Sequence, residues 1–363
     1  MPEQKQQQSK AQEPQSAAHT ILVERIGMKG SVSVAEFMEI AVAHYYAAQD
    51  PFGDDGDFTT APEISQMFGE MLGAWLVDAW MQAGKPEKAH LVELGPGRGT
   101  LASDVLRTVS NWPECLASMD LHLVETSPLL RARQADELGE YNPTWHDDIS
   151  TLPEGPAFIL ANEFFDALPI QQFEMKGGKW HERHVGYDEE NETFFFTLKP
   201  TDEPEMPEAK DGGIFEKSPA SIAVAGEICK ILAEQGGAAL FVDYGHAMSG
   251  IGDTLQAVKD HKFAEVLENP GRNDITAHVD FAALKRAAAK KLRVHGPVEQ
   301  GAFLLRLGIS TRADALRQKA TEEQRKNIDA ALFRLTAATE MGKLFKVLAL
   351  TPTGSAIAPA GFD

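Results

Sequence analysis

The stretch that decides the fold is His90-Leu91-Val92-Glu93-Leu94-Gly95-Pro96-Gly97-Arg98-Gly99-Thr100. An apolar run enters a glycine turn, and a helical stretch follows. A doubly wound α/β sheet holds a nucleotide at such a junction. The glycines are spaced G-x-G-x-G, and Thr100 stands where a dinucleotide fingerprint needs its third glycine. Glu93, two residues before Gly95, would oppose a pyrophosphate. It suits a cation, such as the sulfonium and ammonium groups of S-adenosylmethionine. Glu93, Gly95, Gly97 and Gly99 are therefore the first candidate cofactor residues.

Working outward, apolar runs recur at residues 90–94, 121–125, 157–161 and 238–242, with helical patterns at 99–108, 127–138 and 221–235 between them. Strands alternating with helices predict a parallel, doubly wound sheet. The second run ends in Glu125, placed to accept hydrogen bonds from ribose hydroxyls. Asp147 and Asp148 follow the next expected strand, where one could meet an adenine amino group. The 157–161 run ends in Asn162-Glu163-Phe164-Phe165-Asp166. Asn162 would face the cofactor. Glu163 and Asp166 could grip a guanidinium bidentately, with Phe164 and Phe165 walling off water. Asp166 and the phenylalanines could equally cap a turn and fill core. Tyr244 and His246, closing the 238–242 run, could line the acceptor site or simply satisfy a strand end.

Two segments depart from the alternation. Residues 171–198 alternate with period two around Gly177-Gly178, which predicts an antiparallel hairpin insertion. Residues 21–84 read as mostly helical, with Ser33 as a helix cap before 34–48, a turn-rich loop at 50–57 and a long helix over 64–83. Residues 254–258, 292–298 and 345–350 look like further strands.

The chain of 363 residues carries 34 Lys+Arg against 54 Asp+Glu, a formal charge of −20, which disfavours binding to a phosphate backbone. Its 43% apolar content is that of a globular protein, and no run is long enough to span a bilayer. Cys115 and Cys229 are its only cysteines, which excludes a disulfide scaffold and suits a reducing compartment. Residues 1–18 lack both a signal-peptide core and an Arg-rich presequence pattern, so the chain reads as cytosolic (cytoplasmic) with a disordered tail. The only metal-like string, His181-Glu182-Arg183-His184, has the wrong spacing for a zinc helix, and no metal is expected.

The glycine loop, the segment Gly56-Asp57-Phe58-Thr59-Thr60-Ala61-Pro62-Glu63-Ile64-Ser65, the NEFFDALP string at 162–169 and the VDYG string at 242–245 together resemble the MidA-like family of S-adenosylmethionine-dependent methyltransferases. The resemblance extends through Asn273-Asp274-Ile275-Thr276-Ala277-His278 and Met341-Gly342-Lys343-Leu344-Phe345, so it covers roughly residues 20–360. It implies a class I methyltransferase (Rossmann-like) α/β fold with Glu93, Gly95, Gly97, Gly99 and Glu125 on the cofactor. It also implies an N-terminal lid, with Thr59, Thr60, Pro62 and Ser65 closing over cofactor and acceptor. The family's mitochondrial relatives act in respiratory complex I assembly and dimethylate an arginine of a complex I subunit, which implies a protein-arginine acceptor here. The stretch at His44-Tyr45-Tyr46 looks shorter than in the family, which bears on lid packing and not on the cofactor site.

The expected organisation is a tail at 1–19, a helical lid region at 20–88, and a methyltransferase domain at 89–363 with an insertion at about 170–217. Two competing readings remain. An assembly chaperone could use the nucleotide fold for binding only, which retention of all three glycines and both acids disfavours. An NAD-dependent oxidoreductase is disfavoured by Thr100 and Glu93.

Overall fold

Ala89–Leu94 is buried at every position, which an apolar run achieves only in the middle of a sheet. In the computed structural model, which describes residues 15–48, 59–204 and 206–362, it is the fifth strand of the main sheet. From edge to edge the order is Leu292–Glu299, Phe345–Pro352, Gly237–His246, Ala157–Asn162, Ala89–Leu94, Met119–Val124 and Thr144–His146. A short strand, Val279–Asp280, pairs beside Gly245 and His246. Leu91 stands between Leu121 and Phe158 in parallel register. The chain leaves this central strand toward Met119–Val124, then returns to Ala157–Asn162 on its other side. That reversal opens a crevice at the carboxyl ends of the two central strands.

One strand departs from the all-parallel expectation. Phe345–Pro352 runs antiparallel to both neighbours, pairing Phe241 with Leu348 and Glu299 with Lys346. The reason lies in the connection. The helices Gln300–Leu307, Ile309–Arg317 and Glu322–Thr336 carry the chain away from Glu299 and back to the same end of the sheet. The order and this single inversion are those of a class I methyltransferase sheet.

Helices cover both faces. Gln66–Gln82 packs on Thr100–Val109 through Gly69, where a Cβ would lie 2.4 Å from Asp104 Cβ, so only glycine permits the approach. Phe158, Leu160 and Leu240 face this side, and Ile159, Ala239 and Phe241 face the helix Pro219–Gln235 on the other. A third core lies apart from the sheet, where the helices Ala17–Lys29 and Val34–Ala48 bury Leu22, Phe37 and Met38 against Val185 and Ile275.

The Ala17–Lys29 helix begins inside the stretch expected as a tail. Ser16 caps it by accepting from the His19 amide at 3.0 Å, and Ala18 is fully buried. Residues 1–14 of that tail, and the 50–57 loop, lie outside the described residues. The long N-terminal helix starts at Gln66, capped by Ser65, after a separate turn Ala61–Ile64. The expected hairpin is present as Gln171–Lys176 and Lys179–Asp188, joined at Gly177 and Gly178 with φ of 60° and 72°. It is part of a larger sheet: Thr193–Pro200, Ile214–Lys217 and the two-residue strand Val32–Ser33 complete five strands. The expected strand near 254–258 is Gln256–Lys259, which lies outside the main sheet and joins Lys262–Ala264 and Asp274–Thr276 in a small sheet of its own.

Candidate active site

The glycine loop takes backbone conformations that a side chain resists. Gly95, Gly97 and Gly99 have φ of 61°, 55° and 88°. Gly95 donates its amide to Val124 O at 3.0 Å, which ties the loop to the neighbouring strand end. Gly99 caps the helix Thr100–Val109 from beneath, with Leu138 3.0 Å from where its Cβ would stand, and it does not reach the cavity wall.

In front of the loop lies a cavity of about 760 Å³. Of the sequence-read candidates its wall includes Glu93, Gly95, Gly97, Glu125, Asp147, Asp148, Asn162, Glu163, Phe164, Asp166, Tyr244, Thr60 and Pro62. Five others are placed differently. Gly99 supports the loop from below. Phe165 turns into the core and packs on Phe241, ring centroids 4.9 Å apart. His246 lies beyond the wall, with Nε2 4.0 Å from Asp280 Oδ1. The Ser65 hydroxyl accepts from the Met67 amide at 3.2 Å, and Thr59 also stands off the wall.

At the loop end, Glu93 is 3% exposed, and burial pushes its carboxyl up to about 8 against the help of the Ala102 amide. Its Oε2 makes no hydrogen bond among the described residues. A buried carboxylate with an unused oxygen at a cavity wall fits a cationic ligand. Glu125 is held in place: Oε1 accepts from the Ser127 amide at 2.8 Å and Oε2 from Gln134 Nε2 at 3.3 Å. Burial raises its carboxyl as well. Asp147 is tied to Arg131 at 2.7 Å, and Asp148 accepts from the Ser150 amide at 2.8 Å.

At the other end the acids crowd together. Glu163 has a positive φ of 49°, a strained conformation for a side-chain-bearing residue, and its amide donates to Val242 O. Its Oε1 accepts from the Ala61 amide at 3.1 Å and from Asn162 Nδ2 at 3.3 Å. Glu163 thereby joins the N-terminal turn to the sheet. A second contact ties the same turn to the helix after the glycine loop: Thr100 donates its hydroxyl to Glu63 at 2.6 Å. Burial, then the Asp166 charge, push Glu163 up to about 8, and burial takes Asp166 to about 6. Asn162 Oδ1 and Asp166 Oδ1 have no partner among the described residues. Asp243, fully buried, stays off the wall and acts as a strut. Its Oδ2 accepts from the Phe164, Phe165 and Asp166 amides at 3.0–3.3 Å, which fixes the turn that carries the acids.

Several residues at this site were not singled out from the sequence. Gln134 is fully buried and bridges Gly97 O (2.7 Å) and Glu125, while its own oxygen accepts from Trp145 Nε1 at 2.8 Å. Tyr46 reaches the cavity and donates to Asp274 Oδ1 at 3.3 Å. His278 stands edge-on to Tyr244, with centroids 5.5 Å apart. Asp274 and His278 lie in a string that carried the resemblance, and that is where a signal existed, whereas Tyr46 lies in the stretch that departs from it. Gln134 sits in a polar helix and gave none.

No group of three His, Cys, Asp or Glu residues among the described residues could hold a metal ion. No helix among them is long and apolar enough to cross a membrane.

Comparison with known proteins places the fold and its cofactor class. A family model for S-adenosyl-L-methionine-dependent methyltransferases matches residues 71–298. The mitochondrial protein arginine methyltransferase NDUFAF7 of Homo sapiens is 36% identical over 366 residues, covering 91% of this chain and 82% of that one. Its Xenopus tropicalis counterpart is 36% identical over 372 residues, covering 91% and 85%. A Burkholderia thailandensis crystal structure bound to S-adenosyl-homocysteine superposes with a TM-score of 0.81 at 27% identity, covering 95% of each chain. The glycine loop before an acid-lined cavity, the sheet order and these likenesses lead to one conclusion: the chain belongs to this family of S-adenosylmethionine-dependent methyltransferases.

Proposed function

We propose that this methyltransferase acts on an arginine of a protein substrate. The observation that carries the reading is the pair at the cavity wall formed by a half-buried Glu163 and a buried Asp166, with their carboxyls raised to about 8 and about 6. A guanidinium is planar and permanently charged, and two such carboxylates can hold it by paired hydrogen bonds. The name of the NDUFAF7 relatives supports the same acceptor.

S-adenosylmethionine supplies the electrophilic methyl group. Glu93 would hold its positive end, Glu125 its ribose, and Asp147 or Asp148 its adenine. The remaining work belongs to the acceptor side. Glu163 and Asp166 orient a guanidinium nitrogen for in-line attack. Phe164, whose ring would lie 3.0 Å from a Cβ on Gly95, closes the space between loop and acids against water. When the new N–C bond forms, that nitrogen must lose a proton. A carboxyl raised toward 8 accepts it more readily than an ordinary one.

For the protein that bears the arginine we propose a respiratory complex I subunit, on the family resemblance. The curated relatives are mitochondrial and give no support to the cytosolic expectation. A cytoplasmic setting for this chain rests on sequence expectation alone, the two unpaired cysteines and the composition of residues 1–18. The test is transfer of labelled methyl groups into arginine and lysine peptides, followed by amino-acid analysis. Methylarginine is the expected product. Label confined to lysine or to small molecules would overturn the proposal.

A further inference from the structure

The small sheet beside the active site has two unlike faces. Ala257 and Ile275 point into the N-terminal core and are fully buried. Residues of opposite parity, Gln256, Val258, Phe263, Asp274 and Thr276, all lie on the cavity wall. Register sets them in rows: Val258 pairs with Phe263 on one side and with Asp274 on the other, and Gln256 pairs with Thr276. One row therefore runs Phe263, Val258, Asp274, from an apolar edge to an acid.

The ends of that row differ sharply. Asp274 is 5% exposed, accepts from the Tyr46 hydroxyl and sits toward the Asp166 carboxylate, whose charge also acts on Tyr46. Phe263 is 80% exposed, next to the tight turn at Asp260 and His261, and stands at the mouth. Leu344, 45% exposed, adds apolar surface to the same wall. Two strand spacings separate Phe263 from Asp274, roughly 10 Å. A protein segment that sent an arginine side chain down to the acids would lay its neighbouring residues against Phe263.

We propose that this sheet face reads the residues flanking the target arginine, and that it selects an arginine with a large aliphatic or aromatic residue within two positions. The occupant follows from complementarity along the row, a cation at the acidic end and an apolar side chain at the mouth. Phe263 is a specificity-determining residue in this scheme and takes no part in the chemistry. The inference rests on the arginine reading above.

The experiment uses the full chain, S-adenosylmethionine and five-residue peptides centred on arginine, flanked either by Leu and Phe or by Ser and Gly. The expected result is a preference of roughly tenfold or more in kcat/KM for apolar flanks, the size expected from covering one aromatic side chain. Phe263→Ser should bring that preference close to one while S-adenosylmethionine affinity is unchanged. Because Phe263 is exposed, the variant should fold as the parent does. Equal rates for both peptide sets, or a preference that survives in Phe263→Ser, would overturn the inference and leave the arginine reading intact. If cofactor binds but neither arginine set is methylated, the arginine reading fails and this inference falls with it.

Discussion

Gln134→Leu is the most informative single change, because the residue is buried and its three hydrogen bonds tie together parts of the cofactor site. Nε2 donates to Gly97 O at 2.7 Å and to Glu125 Oε2 at 3.3 Å, and Oε1 accepts from Trp145 Nε1 at 2.8 Å. Leucine has similar bulk and makes none of them. The Gly97 carbonyl and the Trp145 N–H would each lose a partner, at about 1–3 kcal/mol apiece, so the fold should lose about 2–6 kcal/mol. For a chain of this length that predicts a melting temperature lower by roughly 3–8 °C. Glu125 would keep the backbone amides of Thr126 and Ser127 but lose its one side-chain donor. Losing one charge-assisted hydrogen bond from the carboxylate proposed to hold the ribose should weaken cofactor binding about 5- to 30-fold, or about 1–2 kcal/mol. Calorimetry with S-adenosylhomocysteine measures the second effect and a thermal melt the first. With cofactor saturating, kcat should be close to that of the parent, because Gln134 lies away from Glu163 and Asp166. A folded Gln134→Leu protein that binds S-adenosylhomocysteine as tightly as the parent would refute the claim that Gln134 sets the geometry of Glu125 and the glycine loop.

Glu93→Gln keeps the shape of the side chain and removes its charge, so S-adenosylmethionine should bind about tenfold or more weakly; comparison with S-adenosylhomocysteine, which lacks the sulfonium charge, tells whether Glu93 faces the sulfur or the amine. With the Glu93 carboxyl near 8 in the empty protein, it must release a proton to meet a cation at pH 6, so parent affinity should rise between pH 6 and 9, and that rise should vanish in Glu93→Gln. Glu163 is likewise raised in the fold, so the stability it contributes is full below about 4.5 and is lost as pH rises through about 8. Glu163→Gln should therefore melt higher than the parent at pH 8.5, match it near pH 4.5, and lose methyl transfer, and a lower melting temperature at pH 8.5 would contradict the assignment. His122 bonds to His90 at 3.1 Å and His146 at 2.9 Å, and burial, then these two neighbours, lower it to about 4. Folding stability should fall as pH drops from 6.5 toward 4, with a shallower slope in His122→Gln when melts are followed across that window.

The central sheet could be read from the sequence because its signals are local. The apolar runs that became Ala89–Leu94, Met119–Val124 and Ala157–Asn162 are buried on both faces, and such strands announce themselves by composition. The inversion of Phe345–Pro352 could not be read in the same way. Its direction depends on where the preceding helices bring the chain, which is not encoded in the strand. Val32–Ser33 is two residues long and becomes a strand only by pairing with Val185 and His184, far along the chain. The site divides along the same line. Glu93, Glu125 and Glu163 lie at strand ends, so their position follows from the sheet. Phe165 lies two residues past Glu163, where the turn geometry decides, and the structure takes it into the core; His246 is the last residue of its own strand, and pairing beside Asp280 carries it past the wall.

The acidic character of the chain takes on a more definite meaning at this site. A charge of −20 spread over a solvated surface would cost little, because water screens it. Glu93, Glu125, Asp166 and Asp274 are each at most 9% exposed and line the same cavity, with Glu163 beside them. Burial raises the carboxyls of Glu93, Glu125, Glu163 and Asp166, so the fold disfavours their charged forms. A purely structural role would be served better by neutral hydrogen-bonding residues, as Gln134 shows a few ångströms away. Ionised carboxylates become favourable here only when a positive charge arrives. The two reactants of the proposed transfer, a sulfonium cofactor and a guanidinium acceptor, each bring one. The unfavourable burial in the empty protein is thus converted into binding energy at the two ends of the cavity, and a neutral acceptor in the same pocket would leave Glu163 and Asp166 without the charge that makes their burial tolerable.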